Sequence, residues 1–398
     1  MRIALVGIAL PPIIGGLEVH IWELAKHLAL RGHDVHLFGT RTYRGNINPA
    51  FERCDGVSIH RVGGTLAFGN YEFYELCHAT IASRILDLHA VEAFDLVHGH
   101  CVYPSGISCR VANLLHGLPY VITSHGDEIM AFGKNILYKR MRVWLTRNIF
   151  RHANRVIAVS NELRELSIGF GSPAERTIRM SNAIDPARFR PAEDRAALRR
   201  KLGLPVDGTI VLSLRRLSVK NGVQYLIDAA PVVIEKYPEA IFLLCGDGDF
   251  RRPLEERVAL RGVGGNFRFL GSVPNESVTP YIQASDVAVF PSLAEATSIA
   301  CLEVMACGVP VVASNVGGLP EIVRHGENGM LVEFGISSSV FQDPGLPPSV
   351  VRALGDAIVS VLADSVLRRR LGASAADYVR ENHSWEVYTD SILKLYRE

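Results

Sequence analysis

Short apolar runs alternate with longer amphipathic stretches from one end of the chain to the other. The apolar runs are rich in β-branched residues and apolar on both faces, which is typical of strands buried in a parallel sheet. They cover residues 2–8, 34–40, 95–101, 120–126, 155–160, 209–215, 240–246, 267–272, 287–292, 310–314 and 329–334. Helix-period patterns lie between them at 18–31, 71–89, 135–152, 223–236, 253–261 and 299–307. This alternation predicts an α/β protein with parallel, doubly wound sheets.

The predicted strands are too many for one modest sheet, and the 398-residue length also favours at least two domains. Residues 181–197 hold two prolines and a charge-rich stretch between two complete α/β series. We therefore predict two Rossmann-like domains that face a cleft, the first ending near residue 185. Ligands of such sheets bind at the carboxyl ends of the strands, so the residues just after each strand are the candidates for chemistry.

The composition, 48% hydrophobic and 21% charged, is that of a folded globular protein, and the net charge of +1 gives no reason to expect a nucleic acid partner. Seven cysteines form no CxxC pair, which indicates a reducing, cytoplasmic location without a disulfide framework. The apolar start, Ile3–Ile14, is interrupted by Pro11 and Pro12, so we interpret it as a strand and a loop and not as a signal peptide. No apolar run reaches about 18 residues, and we expect no spanning helix.

Residues 291–321 carry the most specific candidate site. A strand ends before a polar loop with Glu295, and a helix begins near Ser298. The backbone N–H groups of Ser298, Ile299 and Ala300, together with the helix dipole, would form an anion site suited to a diphosphate. Glu303, about one turn further on, would accept hydrogen bonds from a ribose diol. The alternative is a pair of solvated glutamates beside a helix.

A strand-to-helix loop in the same half carries three cations, Arg215, Arg216 and Lys220. Cations at this place would stabilise the charge of a departing diphosphate. The alternative is a solvated basic loop. Gly246 ends the next strand, but without GxGxxG spacing it indicates only a tight turn.

Histidines and a glycine turn follow the strands of the first half. Gly15 and Gly16 lie between the first strand and a helix that carries His20. Further strands end in the polar residues His98, His100, His125 and Asp127. We predict that these residues and His20 contact sugar hydroxyl groups or transfer protons. Cys101 beside them raises the alternative of a metal site, but no metal-type spacing completes it, so we expect no metal.

Taken in order, these motifs resemble those of the group-four retaining glycosyltransferases of the GT-B fold, nearly from end to end. Residues 15–38 (GGLEVHIWELAKHLALRGHDVHLF) resemble the family's opening, and 181–189 (SNAIDPARF) its interdomain segment. The stretch from Glu295 to Glu303, followed by VGGLPEIV, resembles the paired-glutamate donor motif. The end of the chain, SWEVYTDSILKLY, resembles the family's last helix, which returns to the N-terminal domain.

The resemblance implies an acceptor-side domain at 1–185, rejoined by a helix at about 384–398, and a nucleotide-sugar donor domain at 186–383. It implies a nucleotide sugar as co-substrate and no other cofactor. The family roles fall on five residues: the ribose-binding Glu303, the hexose-side Glu295, the phosphate-binding Arg216, and His125 and Gly16 near the donor sugar and its phosphates.

The sequence departs from the family pattern at three places. Lys220 lies one position early, because Asn221 precedes Gly222. Arg215 replaces the usual glycine before the phosphate-binding arginine, and we assign it to donor binding without a defined role. Residues 296–298 replace a Gly-aromatic-Gly segment, which leaves the donor sugar open.

The expected reaction is a metal-independent transfer of a hexose from a UDP- or GDP-linked donor to a hydroxyl acceptor, with retention. The acceptor stays open, and a lipid-linked or polysaccharide-precursor glycan is one candidate class. Two alternatives stay open: a nucleotide-sugar epimerase of the same fold and an inactive nucleotide-sugar-binding protein. A dehydrogenase is disfavoured, because neither half carries a full GxGxxG.

The segment Asn135–His152 has a basic face with Arg140, Arg147 and Arg151. Leu137, Met141, Leu145 and Ile149 lie roughly opposite on a helical wheel. A basic amphipathic helix of this kind docks on anionic membranes, which would place the protein at the inner face of a membrane. The same pattern is also typical of a packed surface helix, the interpretation we prefer from sequence.

Overall fold

The computed structural model describes residues 1–10, 16–43, 46–63, 74–126, 136–336 and 343–398. The chain divides into two compact units. Unit 1 comprises Met1–Asn182 and Trp385–Glu398, and unit 2 comprises Ala183–Ser384.

Unit 1 is built on a sheet of eight described strands in the order β10-β9-β8-β7-β1-β2-β6-β5. All neighbours are parallel except the edge strand β5, and β3 pairs with β4 separately. The strands are β1 (Arg2–Val6), β2 (Asp34–Thr40), β3 (Thr42–Tyr43), β4 (Asn46–Ile47), β5 (Phe51–Cys54), β6 (Val57–Val62), β7 (Leu96–His100), β8 (Tyr120–Ser124), β9 (Arg155–Ala158) and β10 (Thr177–Arg179). The five strands predicted from the sequence are confirmed, and β5, β6 and β10 are additions to them.

Five described helices of unit 1 follow its strands, as parallel connections require. They are α1 (Gly16–Leu30), α2 (Tyr74–Glu92), α3 (Ser105–His116), α4 (Ile136–His152) and α5 (Asn161–Gly169).

Unit 2 has a six-stranded parallel sheet in the order β13-β12-β11-β14-β15-β16. Its strands are β11 (Ile210–Leu214), β12 (Ile241–Cys245), β13 (Phe267–Gly271), β14 (Val287–Phe290), β15 (Val311–Ser314) and β16 (Met330–Val332), all of them predicted from the sequence. Its helices are α6 (Arg195–Lys201), α7 (Val223–Lys236), α8 (Arg251–Leu260), α9 (Asn275–Ala284), α10 (Ile299–Ala306), α11 (Pro348–Ala363) and α12 (Ser365–Asn382). The strand order reverses between β11 and β14, which is where doubly wound sheets bind their ligands.

Side chains of the unit 2 strands alternate between two hydrophobic clusters, which explains the uninterrupted apolar runs. Val211 and Leu244 belong to one cluster, whereas Leu212 and Leu243 belong to the other. A strand that is buried on both faces needs apolar residues at every position.

The last helix, α13 (Trp385–Arg397), returns the chain to unit 1. It buries Trp385, Tyr388 and Ile392, and its Tyr396 hydroxyl lies 2.6 Å from His98 Nδ1. Among the described residues, no helix combines the length and apolar character that crossing a membrane requires.

Candidate active site

The carboxyl ends of the central unit 2 strands meet through glycines that admit close backbone approach. Gly246 follows β12, and a Cβ there would lie 1.9 Å from the Arg215 carbonyl oxygen. Gly317 follows β15 with φ +59°, and a Cβ there would lie 1.9 Å from the Glu295 carbonyl oxygen. The loops that carry Arg215 and Glu295 are therefore held against their neighbours by contacts that only glycine permits.

Arg215 and Glu295 form a buried ion pair across these loops. Arg215 Nη2 contacts Glu295 Oε2 and lies 2.8 Å from Asn221 Oδ1. Ser292 Oγ also donates to Glu295 Oε2, at 3.2 Å. The two charged side chains are only 6% and 14% exposed. The pair fixes the orientation of the Glu295 carboxylate, a role for Arg215 that the sequence did not reveal.

The other two cations of the loop are more accessible. Arg216 is exposed and Lys220 is half-buried. The Lys220 carbonyl accepts hydrogen bonds from the N–H groups of Leu293 (2.7 Å) and Ala294 (3.3 Å), which ties this loop to the one with Glu295. The predicted phosphate-side cations and the predicted hexose-side carboxylate therefore belong to one connected set of loops.

Helix α10 begins next to Ser298, as predicted, and its N-terminus is capped. Ser298 is the N-cap, and its Oγ accepts from the Cys301 N–H at 3.2 Å. The Leu302 N–H makes the first intrahelical bond, to the Ser298 carbonyl at 3.2 Å. The N–H groups of Ile299 and Ala300 precede that bond, so helix geometry aims them away from the helix, where they can donate to an anion.

Glu303 is buried on α10, with 6% of its surface exposed. Its Oε1 accepts a hydrogen bond from Asn275 Nδ2 on α9 at 3.2 Å. Burial raises the pKa of the Glu303 carboxyl to about 7, although Asn275 and the charge of Arg188 act in the opposite direction. Asn275 and Arg188 were missed from the sequence because they lie on distant segments without a motif.

The site residues predicted in unit 1 differ in how exposed they are. Gly16 is the exposed first residue of α1, and Asp127 lies outside the described residues. His98 is fully buried, and its ring nitrogens lie 2.6 Å from the Tyr396 hydroxyl and 2.7 Å from Thr123 Oγ1. Both ring nitrogens of His98 thus have partners within unit 1, and its assignment to sugar hydroxyls or proton handling stays a prediction.

His20 and His100 are also buried, and they cluster with the half-buried His125. The His20 ring centroid lies 5.7 Å from that of His100 and 5.3 Å from that of His125. Burial lowers the pKa of all three rings, to about 3 for His125. His20 and His100 are almost fully buried, and their assignment to sugar hydroxyls or proton handling stays a prediction.

Comparison with known proteins identifies the family to which the chain belongs. The profile of the group 1 glycosyl transferases matches residues 194–343, and that of glycosyltransferase family 4 matches residues 14–188. An uncharacterized glycosyltransferase of Methanocaldococcus jannaschii is 30% identical over 100% of this chain and 98% of its own. The chain belongs to the group 1 glycosyltransferase family.

Two further relatives cover most of this glycosyltransferase. A D-inositol 3-phosphate glycosyltransferase of Geodermatophilus obscurus is 31% identical, over 96% of this chain and 84% of the relative. The structure of sucrose-phosphate synthase from Thermosynechococcus elongatus matches with a TM-score of 0.83 and 26% identity, over 100% of this chain and 98% of that one. Together with the two parallel-sheet units, this likeness establishes the GT-B fold predicted from the sequence.

Proposed function

We propose that this glycosyltransferase moves a hexose from a UDP- or GDP-linked donor to a hydroxyl group of a glycan or lipid-linked acceptor. The transfer retains the anomeric configuration and needs no metal. One observation carries the proposal: buried Glu303 lies about one turn from the capped N-terminus of α10. A carboxylate for a ribose diol and N–H groups for a diphosphate are thus spaced along one helix.

The residues have separate roles in this reaction. The diphosphate leaves while positive charge develops at the anomeric carbon, and the N-terminus of α10 with Arg216 and Lys220 stabilises the leaving charge. Glu295, oriented by Arg215, faces the hexose. The acceptor hydroxyl attacks from the side of the leaving group, and the departing phosphate takes its proton. Donor contacts by His125 and Gly16 stay predictions from the family resemblance.

A thermal-shift panel with UDP-, GDP- and ADP-sugars tests the donor site. A bound donor stabilises the folded protein by mass action and so raises its melting temperature. At a donor concentration of a hundred times Kd, the gain in the free energy of unfolding is about 2.7 kcal/mol. The Glu303→Gln variant should lose most of that shift, while Glu327→Gln on the surface of unit 2 should keep it. No response of the wild type to any donor would overturn the proposal.

Product analysis separates the transferase from its alternatives. Transfer to an added sugar acceptor, with the α or β configuration of the donor preserved by NMR, is the expected result. Conversion of the donor into an epimer without acceptor would show an epimerase. Tight donor binding without turnover on any acceptor would show an inactive binding protein.

We also propose that α4 docks on the anionic, cytoplasmic face of a membrane. Trp144 is 64% exposed and Met141 is 45% exposed. Arg140, Arg147 and Arg151 are exposed too, and their spacing of four, three and four residues with Trp144 puts all four on one helix face. An exposed tryptophan among arginines suits the boundary between lipid head groups and acyl chains.

The opposite side of α4 is anchored in unit 1. Ile149 and Phe150 belong to its buried core, and Leu145 packs against that core. The helix is therefore both a packed surface helix and one with a basic, aromatic outer face.

Co-sedimentation with vesicles tests the membrane proposal. Binding to vesicles with phosphatidylserine should exceed binding to phosphatidylcholine alone, and it should fall as salt rises. Trp144→Ala should weaken it, whereas Leu260→Ala, at an 87% exposed site on unit 2, should not. Equal binding of the two variants would overturn the assignment of α4.

A further inference from the structure

Three histidines from distant parts of the sequence meet inside unit 1. His20 lies on α1, His100 ends β7, and His125 follows β8. Because β1, β7 and β8 are parallel neighbours, their carboxyl ends bring the three following segments to one place. Each ring offers one nitrogen such that the three atoms lie within 4.8 Å of one another.

The hydrogen bonding of the two buried rings, those of His20 and His100, is incomplete. Among the described residues, neither ring nitrogen of His20 has a hydrogen-bond partner, and His100 Nε2 has none either. A buried polar atom without a partner costs about 1–3 kcal/mol. The remaining ring contacts of His20 are the aromatic side chains of Trp385 and Tyr388.

We propose that His20, His100 and His125 form a binding site for a transition-metal cation of the Zn²⁺ class. Zinc binds histidine nitrogens at about 2.0–2.1 Å, which puts tetrahedral ligand nitrogens about 3.3 Å apart. His100 Nδ1 and His125 Nε2 already lie 3.3 Å apart. One ring nitrogen of His20 lies within 4.8 Å of a ring nitrogen of each of the other two histidines. Three protein nitrogens are the number that open zinc sites provide, with water as the fourth ligand.

The chemistry of the cluster favours a borderline metal over Mg²⁺ or Ca²⁺. All three ligands are imidazoles, which suit Zn²⁺, Cu²⁺ and Ni²⁺, whereas the hard cations take oxygen ligands. Low pKa values keep the rings neutral at pH 7, which is the form that binds metals. No proton has to leave for the cation to bind.

A second cluster in unit 1 provides the contrast. His36 Nε2 lies 3.3 Å from Asp34 and 3.4 Å from Glu92. There, however, Arg2 Nε is 2.6 Å from Asp34 and 4.0 Å from Glu92, so a guanidinium already balances the carboxylates. At the first cluster, by contrast, both ring nitrogens of His20 and Nε2 of His100 have no hydrogen-bond partner among the described residues.

The sequence alone predicts no metal because the ligands have no recognisable spacing. Two of them, His100 and His125, are 25 residues apart, and His20 precedes both by 80 or more. Only the parallel strand order brings them together.

Titration of the chelator-treated full chain with Co²⁺ and Zn²⁺ tests the site. One equivalent of Co²⁺ should give the visible absorption of a four-coordinate ion, and Zn²⁺ should displace it. His20→Gln, His100→Gln and His125→Gln should each weaken binding by more than about tenfold. His27→Gln, on the same helix and also in contact with the Trp385 ring, should bind as the wild type does.

Circular dichroism of each variant shows whether it is folded. If one of the three variants fails to fold, the other two still test the proposal. Absence of a stoichiometric Co²⁺ spectrum in the wild type would overturn the proposal. So would binding that survives in the folded His20, His100 and His125 variants and is lost in His36→Gln. The readout does not use transfer activity, so a failed metal site leaves the proposed reaction untouched.

One consequence rests on the proposed function. A cation that holds His125 withdraws this ring from a donor sugar, so Zn²⁺ should raise the KM for the donor. Zinc bound by the site without any effect on KM would separate the metal site from the donor site.

Discussion

Glu295 and Glu303 are both buried carboxylates of unit 2, but their partners differ. Glu295 contacts the cation Arg215, whereas Glu303 accepts a hydrogen bond from the neutral amide of Asn275. Burial raises the pKa of the Glu303 carboxyl, so that this group holds its proton more readily. The two residues are thereby suited to different tasks, one to a fixed charge and the other to a hydroxyl partner.

Replacement of Glu295 tests the first task. Glu295→Gln should lower transfer by at least about 100-fold, because an oriented charge near the hexose is lost. It should also lower the free energy of unfolding by about 1–3 kcal/mol, because Arg215 is left buried without its counter-charge. Steady-state rates and urea unfolding of Glu295→Gln and the surface variant Glu327→Gln measure both effects. Near-normal turnover would contradict the assignment.

The pKa of Glu303 is raised to about 7, so its proposed role as the ribose ligand predicts a pH-dependent donor affinity. The ionised carboxylate accepts two ribose hydrogen bonds better than the protonated acid does. It is about tenfold less populated at pH 6 than at pH 8, so the donor Kd should be up to about tenfold higher at pH 6. Isothermal titration at both pH values measures this.

Glu303→Gln serves as the control for that pH dependence. Its side chain does not ionise, so its weaker donor affinity should be nearly constant from pH 6 to pH 8. An unchanged slope in the variant would assign the titration to another group.

At the scale of elements, the site depends on loops that touch through glycine. Gly317→Ala would force a Cβ to within 1.9 Å of the Glu295 carbonyl oxygen, at a φ of +59°. Gly326 has a similar φ of +75° but nothing within 4 Å of its Cβ position. Both substitutions carry the strain of a left-handed alanine, about 1 kcal/mol, and only Gly317→Ala adds the collision.

We therefore expect Gly317→Ala to cost at least about 2 kcal/mol more than Gly326→Ala. It should also reduce transfer, because Glu295 moves with its backbone. Urea unfolding and donor turnover of the pair measure the difference. Equal stabilities would mean that the loop relaxes without displacing Glu295.

Some elements and contacts of this fold can be predicted from the sequence and others cannot. Strands that are buried on both faces have uninterrupted apolar sequences, so all six strands of unit 2 could be predicted. The edge strand β5 has exposed residues at most positions and carries no such signal. The candidate donor motif could be proposed from the sequence because Glu295, Ser298 and Glu303 are close together in it. Arg215 with Glu295, and Asn275 with Glu303, needed the fold, because 80 and 28 residues separate them.

For the whole molecule, α13 matters because it belongs to unit 1 although unit 2 precedes it in sequence. Ile392 on α13 and Ile358 on α11 of unit 2 are both 0% exposed. All three tryptophans, Trp22, Trp144 and Trp385, lie in unit 1, so intrinsic fluorescence reports on that unit.

Matched substitutions test the membership of α13. Ile392→Ala should lower the stability of unit 1 by about 2–5 kcal/mol and shift the fluorescence transition to lower urea. Ile358→Ala should shift the far-UV circular dichroism transition more than the fluorescence transition. An equal fluorescence shift from both variants would contradict the division into units.

The return of the chain at α13 also sets the order in which a ribosome can complete the two units. Every residue of unit 2 has been synthesised before Trp385, whereas unit 1 waits for α13 to supply the side chains that contact His20 and His98. Unit 1 is therefore completed only after the whole of unit 2 has been synthesised. Until α13 has been made, the nascent chain carries an uncovered apolar surface that chaperones can bind.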